Sequence, residues 1–121
     1  MNLGQFSVSL AVEDIAASRA FYETALGFEA YDDHQDEHWV IMRQGTTVIG
    51  LFQGMFETNI LTFNPTDVRA IQRELRAAGV TLDVEADENS TGPAYIMLTD
   101  PDGNTILVDQ HDPDYRSTSE S

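Results

Sequence analysis

The sequence predicts an α+β fold of two βαβββ modules, whose curved sheets enclose a cleft and whose helices lie outside. Three observations lead to this prediction. First, the order strand, helix and glycine over residues 7–27 recurs at the same spacing over residues 59–79. Second, three short segments follow each helix, and their patterns are typical of strands. Third, residues 100–104 join two apolar runs and contain the proline, aspartate and glycine of a tight hairpin turn.

The first module is predicted over residues 5–53. Its opening strand, residues 6–12, alternates apolar with small side chains, as a half-buried strand should. Asp14 can cap the following helix, which has one apolar sector, and Gly27 supplies the conformation that ends it. Three strands then complete the module, and they are predicted over residues 28–32, 38–42 and 46–52.

The second module is predicted over residues 58–110. After a strand over residues 60–63, Pro65 opens a helix whose apolar residues recur at 3.6-residue spacing, and Gly79 stops it. Three strands are again predicted, over residues 81–85, 94–98 and 105–109. Because each helix covers one face of its sheet, the other face is left for the partner module. A single domain over residues 1–112 follows, and the polar tail, residues 113–121, is predicted to be disordered.

Composition limits the classes of function. The chain has 6 basic residues, all arginine, against 21 acidic ones, which gives a net charge of −15. Such a surface repels phosphate backbones and excludes nucleic acid as a partner. An attraction for cationic ligands, solvated acidic loops and adaptation to salt would all produce this excess of acids. With no cysteine, no signal segment and no membrane-spanning run, the chain is expected to be cytoplasmic and free of disulfides.

Three segments together resemble the vicinal oxygen chelate superfamily, which includes glyoxalase I, extradiol dioxygenases and bleomycin-resistance proteins. They are the helix signature ending in Phe21-Tyr22 and Leu26-Gly27-Phe28, the repeated βαβββ order, and the turn over residues 100–104. The resemblance covers residues 5 to 112 and implies the glyoxalase-like fold. It does not imply one activity, because this scaffold serves isomerases, dioxygenases, transferases and simple binding proteins.

The resemblance also implies where a divalent metal would be held. In metal-dependent members, His or Glu on the first and fourth strands of each module supplies the ligands. Those positions correspond here to Ser7, Gly50, Asn59 and Leu107. A hydroxyl and an amide oxygen bind transition metals weakly, and glycine and leucine offer no side-chain donor. The neighbouring residues would not restore a site, so no metal and no other cofactor is predicted.

The histidines do not suggest a different catalytic site. His34 and His38 have the i, i+4 spacing of helical metal ligands, but they are predicted in a polar loop, where that spacing has no such meaning. His111 follows the last strand and is expected at the rim. No Ser-His-Asp order or phosphate-binding glycine loop is present, and Ser7 or Ser9 would lack an evident base.

Without a metal, the cleft becomes a candidate pocket for a small molecule. Strand alternation predicts a mostly apolar lining with a few polar groups, formed by Ser7, Ser9, Trp39, Phe52, Asn59, Leu61, Phe63, Tyr95, Leu107 and Asp109. The aromatic side chains could equally fill a core between the modules. The apolar residues of the linker, Met55 and Phe56, could close the pocket or lie in a dimer interface.

The function predicted first is metal-independent binding of a small, partly apolar organic molecule, cationic or aromatic, by a protein of the bleomycin-resistance type. One alternative is a glyoxalase-like lyase or isomerase with a divalent metal bound in an unforeseen way. The other is a non-enzymatic interaction module whose cleft is filled by its own side chains. A homodimer is expected in each case, with no nucleic-acid or membrane partner.

Overall fold

The computed structural model describes residues 1–120, which form seven strands and two α-helices and confirm the α+β class. They divide into two compact units. The N-terminal unit contains Ser7–Asn59 and residues 116–120, and the C-terminal unit contains Met1–Phe6 and Ile60–Tyr115. The predicted modules cover residues 5–53 and 58–110. Of these, Gln5 and Phe6 belong to the C-terminal unit, and residues 116–120, which lie outside both predicted modules, belong to the N-terminal unit. Neither helix of the described residues has the length and apolar character needed to cross a membrane.

The N-terminal unit has the predicted βαβββ order. The elements are β1 (Gln5–Val12), α1 (Ile15–Leu26), β2 (Glu29–His34), β3 (Trp39–Gln44) and β4 (Thr47–Gln53). The strand order is β2-β3-β4-β1, in which β1 runs parallel to β4 and the other neighbours are antiparallel. A parallel neighbour requires a long crossover, and the helix with the two intervening strands supplies it.

Helix α1 covers one face of this sheet. Asp14 caps it by accepting a hydrogen bond from the Ala17 backbone N–H, as predicted, and Gly27 ends it with a φ of 75°. Ile15 is buried from the helix side. It packs on alternate strand residues, and the resulting core comprises Ile15, Val40, Met42 and Leu51. The strand residues between these core positions point away from the helix, so the unit has a helix-free sheet face.

The C-terminal unit repeats this plan with one strand fewer. The elements are β5 (Ile60–Asn64), α2 (Val68–Ala77), β6 (Ala94–Thr99) and β7 (Thr105–Gln110). The sheet order is β5-β7-β6, with β5 parallel and β6 antiparallel to the central β7. Asp67 caps α2 by accepting a hydrogen bond from the Ala70 N–H, so the helix begins slightly later than Pro65 predicts. The core of the unit comprises Val68, Ile71, Ala86, Ile96 and Val108.

The predicted strand over residues 81–85 was wrong, because only Val84 forms an isolated bridge, to Met97. The segment is instead held by α2. Gln72, which is fully buried, accepts a hydrogen bond from the Ala86 N–H at 2.8 Å and donates one to the Ala86 carbonyl at 3.0 Å. These two bonds replace the partners that a sheet neighbour would offer. The next loop is fixed by buried Arg69, which donates to acceptors in residues 87–92.

The turn over residues 100–104 forms as predicted and depends on Asp100. Its carboxylate accepts hydrogen bonds from the Asp102 and Asn104 backbone N–H groups and from the Asn104 side-chain amide. These bonds, the one from the Asn104 side chain above all, hold the pKa of the Asp100 carboxyl below its ordinary value. The ionised form therefore organises the turn, and Gly103 completes it at a φ of 90°.

The structure differs from the predicted disorder of the tail over its described part. Ser117 is buried, and Thr118–Glu120 form a short 3-10 helix. The Asp33 N–H on β2 donates to the Thr118 hydroxyl at 2.8 Å, and the Thr118 N–H donates to the Asp32 carboxylate at 3.2 Å. The prediction failed because it looked for apolar anchors, whereas this segment is held by polar groups at the β2 edge of the sheet.

We expect Gln72→Leu to lower the free energy of unfolding by about 2–5 kcal/mol, because it leaves two buried backbone groups of Ala86 unsatisfied at about 1–3 kcal/mol each. Arg73→Leu is the matched control, since Arg73 lies on the same helix and loses only an exposed ion pair with Glu88. Urea denaturation measures both variants. Equal stabilities of the two variants would contradict the role assigned to Gln72.

Candidate functional site

The helix-free face of the N-terminal unit carries a row of aromatic rings. Trp39 on β3 is paired with His34 on β2 and with Phe52 on β4, so all three side chains point to the same face. The His34 and Trp39 rings are stacked with centroids 4.2 Å apart, and those of Trp39 and Phe52 are nearly parallel at 6.3 Å. Phe56, from the linker, lies 5.1 Å from Phe52. We call these four residues the aromatic row; each is half-buried.

A second line of residues crosses the same face beside the aromatic row. Strand pairing places Gly50 opposite Ile41 on one side and Ser9 on the other, and Ile41 in turn opposite Asp32. Ser9 and Asp32 are both buried, with 4% of each residue exposed. Ser7, two residues before Ser9 on β1, is also buried. The face therefore combines aromatic surface with a few polar groups.

Gly50 is where the resemblance expects a metal ligand of the first module, and the Phe52 ring occupies the space in front of it. A Cβ atom added to Gly50 would lie 2.4 Å from the Cε2 atom of Phe52 and 3.3 Å from the Cδ1 atom of Ile41. Real Cβ atoms do not approach that closely, so any side chain here requires Phe52 to move. Position 50 therefore has no side-chain donor for a metal, and a side chain there would have no room unless the Phe52 ring moved.

Asn59 does not hold a ligand position. It precedes β5, and its side-chain oxygen accepts a hydrogen bond from the Ala11 N–H at 3.1 Å. The pairing of Thr62 with Leu107 repeats that of Ser9 with Gly50, so the residue equivalent to Ser7 is Ile60. The predicted repeat was one residue out of register here. The correction replaces an amide by a hydrocarbon and leaves the conclusion about metal ligands unchanged.

The same register corrects two predicted lining residues. Leu61 and Phe63 are paired with Ile106 and Val108, whose side chains pack toward α2, so they do not share the face of Leu107. Phe63 instead contacts Phe6, with ring centroids 5.2 Å apart. The reason is the same one-residue shift, which exchanges the two faces of a strand.

The remaining predicted residues of the C-terminal unit lie on the helix-free side of their strands. Tyr95 is paired with Asp109, and Met97 with Leu107, across the antiparallel β6 and β7. Tyr95 is 49% exposed. The Asp109 carboxylate lies 3.3 Å from Nε2 of His111. These residues offer an apolar surface with one carboxylate–imidazole pair at its end.

The donor set does not fit the metal of the superfamily's metal-dependent members. The corrected positions carry Ser7, Gly50, Ile60 and Leu107, of which only the serine has a polar side chain. Within residues 1–120, no group of three or more histidine or acidic side chains is arranged to hold a metal ion. We therefore derive no chemistry through a metal.

Sequence reasoning missed the pairing of His34 with Asp32. The Nε2 atom of His34 lies 2.8 Å from the Asp32 carboxylate. The strand was predicted to end at Asp32, with His34 in the loop that follows, but β2 extends to His34, and residues two apart on a strand share a face. The i, i+2 spacing of Asp32 and His34, next to the strand that begins at Trp39, was the signal available in the sequence.

Comparisons with known proteins agree with this fold. The family model described as Glyoxalase/Bleomycin resistance protein/Dioxygenase superfamily matches residues 4–108. Virulence protein STM3117 of Salmonella typhimurium is 29% identical over 118 residues, covering 84% of this chain and 80% of that protein. The solved structure of a superfamily member from Vibrio splendidus 12B01 has a TM-score of 0.67 at 19% sequence identity. The match covers 88% of this chain and 97% of the Vibrio chain. The structure of methylmalonyl-CoA epimerase from Mycobacterium tuberculosis has a TM-score of 0.70 at 20% sequence identity. The match covers 91% of this chain and 89% of the epimerase chain.

We expect Gly50→Ala to lower the free energy of unfolding by about 1–3 kcal/mol, because the new methyl group displaces the Phe52 ring. In a Phe52→Ala background the same change should cost much less. Urea denaturation of the single and double variants measures this coupling. Val48→Ala is the control, since its side chain is four residues from Phe52 on the same strand and should combine additively with Phe52→Ala. Additive effects of the Gly50 and Phe52 changes would contradict the steric argument.

Proposed function

The chain belongs to the glyoxalase/bleomycin resistance protein/dioxygenase superfamily, and we propose that it is a metal-independent member that binds a small, partly apolar organic molecule. The ligand would lie on the helix-free face of the N-terminal unit, against the aromatic row. Metal independence is supported by the absence of good donors at the four positions where the superfamily's metal ligands are expected. Membership of the superfamily does not fix one activity, because one fold supports many kinds of chemistry, so the function depends on the side chains of this site.

The observation that carries the proposal is the parallel arrangement of the Trp39 and Phe52 rings on a face that no helix of the unit covers. Aromatic side chains usually fill cores, but these remain half-buried. Ring faces of this kind bind planar ligands by stacking, and they attract cations through the negative electrostatic potential above the ring face. The proposed ligand class is therefore a planar aromatic compound, neutral or cationic.

Polar groups beside the aromatic row would orient such a ligand. Ser9 and Asp32 lie in the neighbouring line of residues, and a few polar groups in an apolar surface are typical of small-molecule sites. The excess of acids, with a net charge of −15, would raise the local concentration of a cationic compound. Both arginines on the sheet and helix of Ser7–Asn59 have acidic neighbours: Arg19 contacts Glu23, and Arg43 contacts Glu29.

The two alternatives predict different behaviour. In the enzyme alternative, a lyase or isomerase would depend on a divalent metal held by residues other than the four expected positions. In the interaction-module alternative, the aromatic row would be filled by the protein itself, and small molecules would not reach Trp39. We still expect a cytoplasmic location and a homodimer. Analytical ultracentrifugation would test whether the protein is a dimer.

Trp39 is the single tryptophan, so its fluorescence reports directly on the aromatic row. We expect saturable quenching by 1-naphthol and by N-methylquinolinium, a neutral and a cationic planar probe. Phe56→Ala should weaken binding about tenfold, which corresponds to about 1.4 kcal/mol of lost contact. Phe21→Ala is the matched control, because Phe21 is an exposed phenylalanine of the same unit that lies on α1 and packs on Tyr22. Equal, non-saturable quenching by every probe would favour the interaction module.

Metal analysis of the purified protein separates the proposal from the enzyme alternative. We expect no divalent metal in stoichiometric amount and unchanged probe affinity after dialysis against EDTA. A tightly bound metal at one per chain that is lost in Ser9→Ala would contradict metal independence. That result would direct attention to catalysis at this face.

A further inference from the structure

The described tail, residues 116–120, lies against the same part of the N-terminal unit as the aromatic row. Its Thr118 N–H donates to the Asp32 carboxylate at 3.2 Å, and its hydroxyl accepts from the Asp33 N–H at 2.8 Å. Asp32 is on the line of residues beside the row, on the helix-free face. Asp32 and Ser117 are 4% and 5% exposed, so contact between tail and sheet excludes water from the carboxylate.

The Asp32 carboxylate connects the tail to the aromatic row. The same oxygen, Oδ1, accepts from the Thr118 N–H and lies 2.8 Å from Nε2 of His34. The His34 ring in turn covers one face of Trp39 at 4.2 Å, with 17° between the two planes. Because the tail keeps water away from Asp32, it protects the contact that orients His34 on Trp39.

The contact between residues 116–120 and β2 is polar, and contacts of this kind open at a low free-energy cost. The segment Arg116-Ser117-Thr118-Ser119-Glu120 has no apolar side chain, and its contacts with β2 include hydrogen bonds to Asp32 and Asp33. Segments near a terminus with little apolar burial have the lowest opening free energies in a protein. Detachment would expose Asp32 to water, which competes for its oxygen and releases His34 from the face of Trp39.

We propose that residues 116–120 form a detachable strap, which holds His34 over Trp39 when closed and gives ligands access to the aromatic row when open. The inference rests on the proposed function in taking the aromatic row as the ligand site. The strap itself is defined by contacts within the protein. Its effect on Trp39 can therefore be measured without any ligand.

The test compares Thr118→Val, which removes the hydroxyl acceptor, with Thr118→Ser, which keeps it. We expect acrylamide quenching of Trp39 to rise by about twofold in Thr118→Val and to stay at the wild-type value in Thr118→Ser. Ser117→Glu is a second opening variant, because the buried position does not accommodate a charged side chain. In both opening variants the His34 ring protons should lose the ring-current shift caused by Trp39, with His34→Gln used to assign their resonances.

Unchanged acrylamide quenching and unchanged His34 resonances in both Thr118→Val and Ser117→Glu would overturn the strap. Failure of the proposed function gives a different result. In that case 1-naphthol and N-methylquinolinium would not bind to any variant, although the acrylamide and resonance measurements still respond to Thr118→Val. If both proposals hold, the probes should associate faster with the opening variants than with the wild type and Thr118→Ser.

Discussion

The parallel pairing of β1 with β4 is the constraint on which the candidate site depends. It places Ser9 opposite Gly50 and assigns every residue of the two strands to either the α1 side or the helix-free side. The core residues Leu10 and Leu51 and the site residues Ser9 and Gly50 then alternate along the same strands. Packing of α1 on one face thus fixes which side chains appear on the other, and a register shift of one residue would exchange them.

At Gly50, both the lack of a side-chain donor and the nearby Phe52 ring argue against a metal ligand. A metal site could in principle be regained by replacing a single side chain, but here the Phe52 ring already fills the space in front of the backbone. The aromatic row is thus an alternative use of the same surface, because its rings lie where a metal ligand would project. A side chain at position 50 would require the Phe52 ring to move from its present place beside Trp39.

Much of the fold could be predicted because local signals and burial agree. Asp14 and Gly27 mark the ends of α1, and the alternation in β1 and β4 gives the correct faces. The errors arise where a tertiary contact decides between local options. Buried Gln72 forms hydrogen bonds with the Ala86 backbone, so the segment before it does not pair as the predicted strand. The second repeat is offset by one residue near Asn59, so the predicted faces of β5 were exchanged. The periodicity of a single sequence shows neither which group will accept a hydrogen bond from a given backbone N–H nor whether two repeats are offset by a residue.

The site residues were predictable to the extent that they follow from alternation. Ser9, Trp39 and Phe52 were assigned to the candidate lining without knowledge of their contacts, whereas His34 was not, because its strand was predicted to end before it. The attachment of the tail could not be predicted from apolar content, since its contacts with β2 include hydrogen bonds to Asp32 and Asp33. Polar contacts of this type depend on where a sheet edge leaves an N–H open, which only the assembled structure defines.

Charge and stacking would contribute differently to ligand choice. The surplus of acids acts over a distance of about 8 Å at physiological salt and favours any cation, whatever its shape. The parallel rings of Trp39 and Phe52 would act only at contact with a ligand, and they would favour planar groups over bulky ones. Net charge alone therefore cannot define the ligand, because the selective part of the interaction depends on the ring planes. The His34–Asp32 pair would matter for the same reason, since the His34 ring covers one face of Trp39 and would limit how much of it a ligand reaches.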